Sequence, residues 1–368
     1  MSKKIAIILD YYKSNTHQIL KGISSYIYRY QVDWTVISHN DPNFKMIDYQ
    51  NWDGDGIIID VEVPNSENMI RNSKCPVVSI GKAAEEPKNL ISYTQVYVNN
   101  QELSELAIQH FQEAGIRNLA FFGVSQENKI HLEEKKSYLR EGSRKKELPF
   151  YEFSKTNFYD VKELVSWIEY LPKPIGVMCL DDLNARKFMD VCKTLKVSIP
   201  EEISILGVGN DDMICNTTQP SLSIIEIAAE NIGYVAVESL AKQLNFIPTP
   251  FEVKVGAKGV MTRSSTDHIN IQDNVVKEGL ECMDQLTFKS FTISKLCERM
   301  SVSKETLNRR FIKALGRSVH EEINRRQINR VKELLRETNW SQEKISQQCG
   351  FSSVQYLSNK FKYKVGMS

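Results

Sequence analysis

Short apolar runs alternate with longer amphipathic stretches through the first 260 residues of the chain. This alternation is typical of strands separated by crossover helices, and it predicts strands at 4–10, 34–38, 56–60, 77–81, 119–124, 176–180 and 203–208. Several runs are continuous and β-branched, as at Ile57, Ile58 and Ile59, which indicates a parallel sheet covered on both faces. We therefore predict an α/β fold.

The length of this segment exceeds the roughly 150 residues in which one such sheet is normally complete. Residues 1–260 are therefore predicted to form an α/β domain with two lobes of similar build, and residues 97–100 are expected to carry the chain between them. Residues 261–274 are polar and lose helical periodicity, so we interpret them as a linker. A second domain is predicted at 275–368.

The second domain contains an internal repeat. Four positions recur fifty residues later, where Leu307, Phe311, Gly316 and Ser318 correspond to Leu357, Phe361, Gly366 and Ser368. Each copy predicts a helix, a tight turn and a second helix, first over 292–314 and again over 341–363. Between the copies, residues 320–338 predict one helix about 28 Å long. A spacer of that length is able to place two recognition helices in successive major grooves, about 34 Å apart.

The second helix of each copy presents side chains that suit DNA. Arg reads guanine, Asn and Gln read adenine, and Lys holds phosphates. These residues are Lys304, Glu305, Asn308 and Arg309 in the first copy and Gln355, Asn359 and Lys360 in the second. Residues 275–368 contain 18 Lys and Arg against 10 Asp and Glu, a balance of +8, whereas the whole chain carries +1. A basic domain joined to an acidic remainder of the chain indicates that only this domain binds a polyanion, here double-stranded DNA.

Composition excludes several other classes. No apolar stretch approaches the roughly eighteen residues of a membrane span, and the apolar run at 5–9 is too short for a signal peptide. The seven cysteines show no metal-ligand spacing, which favours reduced thiols, a cytoplasmic location and no metal or cofactor. Motifs of catalytic sites are missing, so we predict no enzyme activity.

A ligand crevice is expected beyond the carboxyl ends of the predicted strands. The polar and aromatic residues at these ends are Asp10, Tyr11, Tyr12, Lys82, Glu133, Asp181, Asn210 and Asp211. Carboxylates and amides hydrogen-bond hydroxyl groups and a ring stacks on a sugar face, so a small polar ligand is a reasonable hypothesis. The alternative interpretation is that these are turn residues and helix caps, positions that favour Asp and Asn for local reasons.

The second domain resembles the AraC/XylS family of bacterial transcription regulators over residues 292–368, most specifically in the sequence ISQQCGFSSVQYLSNKFK at 345–362. The resemblance implies that the DNA-reading positions are Glu305, Asn308 and Arg309 in the first unit and Val354, Gln355 and Asn359 in the second. Relatives continue beyond residue 368 with a closing helix, so we expect the second unit to be cut short.

The first domain resembles the sugar-binding, periplasmic-binding-protein-like (type I) domain of the LacI family, in GIRNLAFFG at 115–123 and IPEEISILGV at 199–208. The combination resembles regulators of the xylose-operon type. It implies a saccharide effector that closes the lobes, a homodimer, and a contact with RNA polymerase if the protein is an activator. Gly209 stands where sugar-binding relatives place an Asp, which argues against xylose and leaves another pentose or saccharide open.

Two other classes of protein remain as alternatives. An α/β enzyme with an incidental helical tail would require a compact set of catalytic groups. A transport binding protein would require an export signal. The predicted function is therefore a ligand-responsive, sequence-specific DNA-binding regulator of sugar-metabolism genes.

Overall fold

The computed structural model describes residues 2–11, 15–38, 52–83, 92–125, 129–155, 160–267, 273–285, 292–315, 317–338 and 340–365. The strands in these ranges are β1 (Lys3–Ile8), β2 (Trp34–Ser38), β3 (Gly56–Asp60), β4 (Val77–Ile80), β5 (Tyr93–Val98), β6 (Asn118–Val124), β7 (Phe150–Lys155), β8 (Ile175–Cys179), β9 (Ile203–Gly209), β10 (Ser223–Ile227), β11 (Glu252–Val255) and β12 (Ala257–Met261). The helices are α1 (Thr16–Tyr30), α2 (Ser66–Asn72), α3 (Asn100–Glu113), α4 (Lys129–Lys145), α5 (Val161–Tyr170), α6 (Asp182–Thr194), α7 (Asp212–Thr217), α8 (Ala229–Leu244), α9 (Ser264–Asp267), α10 (Asn274–Gln285), α11 (Ile293–Met300), α12 (Lys304–Leu315), α13 (Val319–Glu337), α14 (Gln342–Gln348) and α15 (Val354–Val365).

The strands form two six-stranded sheets, one for each lobe. The sheet of lobe 1 has the order β11-β5-β4-β3-β1-β2 and is parallel throughout. The sheet of lobe 2 has the order β12-β10-β9-β8-β6-β7, in which only β12 runs antiparallel to its neighbour. Strands β3, β8 and β9 are buried at every position, because helices cover both faces. The predicted α/β class with two lobes is confirmed.

Three segments connect the lobes. The chain leaves lobe 1 between β5 and α3, returns between β10 and α8, and crosses again at Gly256 between β11 and β12. The sequence predicted the first crossing at 97–100 but not the other two. Helix α8 completes lobe 1 by packing on α1, where a Cβ on Gly233 would lie 2.0 Å from the carbonyl oxygen of Ile19. Glycine is therefore required for this close helix contact.

Lobe 2 continues past residue 260, where the sequence analysis placed the start of the linker. Strand β12 runs to Met261, and α9 packs against β9 and β10 with Ser265 completely buried. The side chain of Ser265 donates to the carbonyl oxygen of Ile205 at 2.6 Å and accepts from the backbone N–H of Ser223 at 2.8 Å. Residues 261–267 therefore pack as part of lobe 2 rather than as a connecting segment.

The second domain consists of two helix-turn-helix units that share α13. Leu296, Leu307 and Phe311 of the first unit pack with Val319 and Ile323 from the first half of α13. In the second unit, Ile345, Cys349, Phe351 and Leu357 pack with Ile328, Val331 and Leu334 from its second half. The helix begins with a capping box formed by Ser318 and Glu321. The predicted duplicated unit and its long spacer helix are both present.

Candidate ligand cleft and DNA-binding surface

The cleft lies where the carboxyl ends of the strands in the two lobes face each other. Lys82 follows β4 in lobe 1, and its Nζ lies 3.2 Å from Glu134 Oε1 on α4 of lobe 2. The other oxygen of Glu134 accepts a hydrogen bond of 2.7 Å from Asn100 at the first crossing. Burial lowers the pKa of Lys82, but the hydrogen bond and charge of Glu134 outweigh it and the pKa is raised. This ion pair joins the two lobes directly.

A second ammonium group is buried beside the strand ends of lobe 2. Lys135 is 4% exposed, and its Nζ donates to the carbonyl oxygen of Leu180 at 2.8 Å. Burial lowers its pKa to about 8, although Asp181 and Glu62 act in the opposite direction. Glu62 belongs to lobe 1 and Asp181 to lobe 2, so carboxylates on both sides of the cleft raise the pKa of Lys135. An ammonium carries three N–H groups, which makes Lys135 a candidate hydrogen-bond donor to a ligand.

Two predicted ligand residues act as helix caps. Asp181 Oδ1 accepts from the backbone N–H of Asn184 at 2.7 Å and caps α6. Asp211 Oδ1 accepts from the backbone N–H of Ile214 at 3.1 Å and caps α7. The alternative interpretation, that such residues are helix caps, therefore applies to Oδ1 of both Asp181 and Asp211. The caps hold both carboxyl groups in fixed positions at the strand ends.

Asp182 is a buried carboxyl group that the sequence analysis did not select. It is 5% exposed, and its Oδ2 accepts from the backbone N–H of Asp211 at 2.9 Å. Its Oδ1 has no hydrogen-bond partner among the described residues, and burial raises its pKa to about 6. A Cβ on Gly209, which has φ +146°, would lie 2.5 Å from Asp182 Oδ2. Because glycine has no Cβ, the carboxyl group of Asp182 is able to occupy the space beside position 209.

Two asparagine oxygens in this region are buried without a partner among the residues that the structure describes. They are Oδ1 of Asn210, directly after β9, and Oδ1 of Asn100, at the first crossing. Buried carbonyl oxygens normally accept a hydrogen bond, so both are suited to a ligand hydroxyl group. Asn210 was predicted from the sequence. Asn100 was not, because only the crossing of three chain segments brings the start of α3 to the cleft.

The remaining predicted cleft residues behave differently from one another. Asp10 and Tyr11 follow β1 and are half-buried, whereas Tyr12 lies outside the described residues. Glu133 is exposed and pairs at 2.7 Å with Lys136, which also donates to Ser154 on β7. Glu133 thus belongs to the β7 edge of lobe 2. Its neighbour Glu134 takes the position at the cleft that the sequence analysis gave to Glu133.

The two recognition helices, α12 and α15, expose most of the predicted DNA-reading residues. Lys304, Glu305 and Arg309 are exposed on α12, and Gln355 and Asn359 are exposed on α15. The other three predicted residues make internal contacts or are half-buried. Asn308 Oδ1 accepts from the backbone N–H of Val319 at 3.1 Å, Lys360 Nζ donates to Asn324 Oδ1 at 2.6 Å, and Val354 is half-buried.

Asn308 and Lys360 each tie a recognition helix to the shared helix α13. Asn308 was predicted to read DNA from its helical position and from the family resemblance, and Lys360 was predicted to bind DNA from its helical position. Neither argument shows these internal partners. The contacts fix the angle between each recognition helix and α13.

These features define a transcription regulator in which a two-lobed α/β domain is followed by two helix-turn-helix units. Comparison with known families agrees with each part. Residues 4–101 match the XylR N-terminal domain, residues 108–266 match the periplasmic binding protein-like domain, and residues 296–368 match a helix-turn-helix domain. The match to the periplasmic binding protein-like domain extends to residue 266 and so includes most of α9, which packs on lobe 2.

Two similar proteins match this chain over nearly its whole length, and a third matches only part of it. The xylose operon regulatory protein of Haemophilus influenzae is 25% identical over 99% of this chain and 96% of its own length. The structure of the xylose-binding transcription activator xylR superposes with a TM-score of 0.65 at 23% identity, covering 98% of this chain and 95% of that chain. A LacI-type regulator from Alkaliphilus metalliredigens complexed with D-xylulofuranose gives a TM-score of 0.54 at 21% identity, covering 72% of this chain and 99% of that chain.

The domains of the chain are thus those of an AraC-type transcription regulator with a periplasmic-binding-protein-like domain, and the proteins it resembles are transcription regulators rather than enzymes. The family predicted from the sequence is confirmed. Among the described residues, no helix is both long enough and apolar enough to cross a bilayer.

Proposed function

We propose that this regulator binds a saccharide in the interlobe cleft and that closure of the lobes changes its grip on a specific DNA sequence. The observation that carries the proposal is the cleft at Lys82 and Glu134, which joins two lobes in the same chain that presents two recognition helices. A ligand shifts such an equilibrium only if it binds the closed state better than the open one. Hydrogen bonds that reach the ligand from both lobes meet this condition.

The charges in the cleft favour a neutral saccharide. Four carboxyl groups, those of Glu134, Asp181, Asp182 and Asp211, lie in this region with the ammonium groups of Lys82 and Lys135. A sugar acid or a sugar phosphate would add negative charge to a site that already has more acidic than basic groups. A neutral sugar instead offers hydroxyl groups to the carboxyl and amide oxygens.

Pentoses are the first ligands to consider, because the relatives named above are regulators of a xylose operon or were solved with a ketopentose. Gly209 argues against D-xylose itself, since sugar-binding relatives are expected to supply a carboxylate at that position. We test this by measuring thermal stabilisation with D-xylose, other pentoses, hexoses and the matching aldonic acids. We expect one neutral sugar to stabilise the protein and D-xylose to give little shift. A large shift with D-xylose contradicts the expectation for Gly209, and a preference for an aldonic acid contradicts the charge argument.

The proposed output is DNA binding by both units of one chain, which leads to activation of sugar-metabolism genes. A homodimer in the cytoplasm that contacts RNA polymerase completes the proposal. The helices α12 and α15 support it, since each exposes polar side chains at one end of the shared helix α13. At 19 residues α13 is about 28 Å long, which suits successive major grooves.

The test of this part begins by selecting bound duplexes from a random DNA pool with the full-length protein. Affinity for the selected duplex is then measured by gel shift with and without the stabilising sugar. Arg309→Ala should weaken binding, whereas Lys193→Ala, which removes an equal charge from the surface of lobe 2, should not. If no duplex is enriched at moderate salt, the proposed function is wrong. Equal losses with the two variants would mean that binding is only a response to net charge.

A further inference from the structure

A cluster of buried charges lies at the start of α13, on the side that faces lobe 2. Its centre is Glu322, which is 1% exposed. Glu322 accepts hydrogen bonds from Arg317 Nε at 2.6 Å, Arg325 Nε at 3.0 Å and Arg326 Nε at 2.8 Å. Burial raises the pKa of Glu322, but Arg325 and the other two guanidinium groups outweigh it and hold the pKa well below its usual range. The cluster is therefore fully charged at neutral pH.

All three arginines face lobe 2, where Arg326 Nη2 lies 3.9 Å from Asp267 Oδ2 and the other two make closer contacts. Arg325 Nη2 lies 2.6 Å from Asp267 Oδ1, at the end of α9. Arg317 Nη1 donates to the backbone carbonyl oxygen of Glu113 at 3.0 Å, at the end of α3. The last carbonyl groups of a helix carry partial negative charge, so both partners on lobe 2 attract a guanidinium group. We call the contacts of Arg317 and Arg325 with Glu113 and Asp267 the lobe 2 dock.

The part of lobe 2 that carries Asp267 is firmly held. Thr266 Oγ1 donates to Ser223 Oγ at 2.8 Å, and it lies at the same distance from His110 Nε2 on α3. Burial lowers the pKa of His110 to about 4, with Arg325 acting in the same direction, so this ring is neutral at physiological pH. Together with the bonds of Ser265 to β9 and β10, these contacts make α9 a rigid part of the lobe.

Part of the contact between the two domains is open. A cavity of about 720 Å³ lies beside the ion pairs and is lined by both domains, among others by Gln109 and Gln112 of α3 and Asn324 and Asn329 of α13. In the described part of the chain, no helix of the second domain packs closely along a helix or strand of lobe 2. One hydrophobic cluster also continues across this boundary, from Phe111 on α3 to Phe311 on α12 and Val319 on α13. The charged contacts therefore add directed bonds beside an apolar contact.

We propose that the lobe 2 dock fixes the first helix-turn-helix unit to lobe 2, so that the DNA-reading domain moves with lobe 2, and against lobe 1, when the cleft closes. The elements that form the dock start at two of the three crossings: α3 begins at Asn100, and β12, which leads into α9, begins directly after Gly256. A rotation at these crossings moves lobe 2 and the docked unit as one body. The dock itself does not depend on which ligand the cleft binds.

Hydrogen–deuterium exchange of the full-length protein, without ligand or DNA, tests the dock. Asp267→Asn keeps the size of the side chain and removes the charge that Arg325 meets across the boundary. We expect exchange in the first turns of α13 and the last turn of α3 to become at least about tenfold faster, since loss of a buried ion-pair partner is strongly destabilising. Arg310→Gln, which removes a 3.0 Å ion pair to Asp273 outside the dock, serves as the matched control. Unchanged exchange in Asp267→Asn, or an equal change in the control, overturns the proposal.

The second measurement addresses the coupling, and it rests on the proposed function. In Asp267→Asn, the stabilising sugar should still raise the melting temperature of the first domain, whereas its effect on DNA affinity should fall to about one-third or less of that in the unmodified protein. If the sugar still changes DNA affinity to the full extent, the dock does not transmit closure. If the unmodified protein binds no DNA, the proposed function fails, but the exchange experiment still decides whether the dock exists.

Discussion

The buried carboxyl group of Asp182, of which only Oδ2 has a hydrogen-bond partner among the described residues, leads to a prediction about stability that needs neither ligand nor DNA. Burial raises the pKa of Asp182 to about 6 from 3.8. The folded state therefore binds a proton more tightly than the unfolded state between these two values. The stability from this group is fully present below pH 3.8 and is lost as the pH rises through about 6. Above that pH Asp182 is a buried carboxylate in which Oδ2 accepts a hydrogen bond and Oδ1 has no partner among the described residues.

The magnitude follows from the size of the pKa shift. A shift of about two units corresponds to about 3 kcal/mol that ionisation removes from the free energy of unfolding above pH 7. Asp182→Asn keeps an oxygen that accepts from the backbone N–H of Asp211, and it cannot ionise. At the unsatisfied Oδ1 position a protonated Asp has one O–H donor and an Asn has an NH₂ group with two N–H donors, but both side chains are neutral, so their stabilities differ little at low pH. We expect the variant to be more stable by about 2–3 kcal/mol at pH 7.5 and by less than about 1 kcal/mol at pH 4.

Thermal unfolding at a series of pH values measures this difference. For a domain of this size, the gain at pH 7.5 corresponds to a rise in melting temperature of about 5–10 °C. Asp212→Asn, an exposed acid at the start of the next short helix, is the matched control and should change little at any pH. A destabilised Asp182→Asn at pH 7.5, or a gain that does not vary with pH, would refute the reasoning.

Three further predictions concern the tail and the cleft. Arg309→Ala should weaken binding to a selected duplex by about tenfold or more in gel shifts while leaving the melting temperature unchanged, because Arg309 is exposed. Phe311→Ala removes a completely buried ring and should cost about 3–5 kcal/mol, so calorimetry should show earlier unfolding of the second domain and an unchanged first domain. Glu134→Gln removes the charge that Lys82 meets across the cleft, and small-angle scattering should show a larger radius of gyration without ligand; an unchanged radius would mean that the ion pair does not hold the lobes together.

Local patterns in the sequence were sufficient to predict most of the framework. All seven predicted strands are present, because buried parallel strands are continuous apolar runs. The helix-turn-helix units lie within their predicted ranges, and Thr292, Ser303, Ser341 and Ser353 cap their helices by accepting from a backbone N–H within the first turn. These features depend on residues that are close together in the chain. The strands that the sequence analysis missed include β7 and β11, which are short, partly exposed and mixed in polarity.

The cleft residues that were missed depend on the fold as a whole. Asn100 reaches the cleft only because the chain crosses between the lobes, and Glu134 differs from Glu133 only in the face of α4 on which it lies. Asp182 stands beside Asp181 at the end of β8, and nothing in the local sequence shows which of the two carboxyl groups is buried. The environment of Asp182 is set by Gly207 and Gly209 on the adjacent strand β9. No periodicity within one segment contains this information.

The shared helix α13 limits how the DNA-binding domain can evolve. Each half of the helix is embedded in a different hydrophobic core, so the two recognition helices have a fixed separation and a fixed relative rotation. Inserting one residue in the middle of α13 would move the second unit by about 1.5 Å and turn it by about 100°. Substitutions on α12 and α15 are able to change the preferred bases one position at a time. The distance between the two half-sites is set by the length of α13, so point substitutions on the recognition helices leave it unchanged.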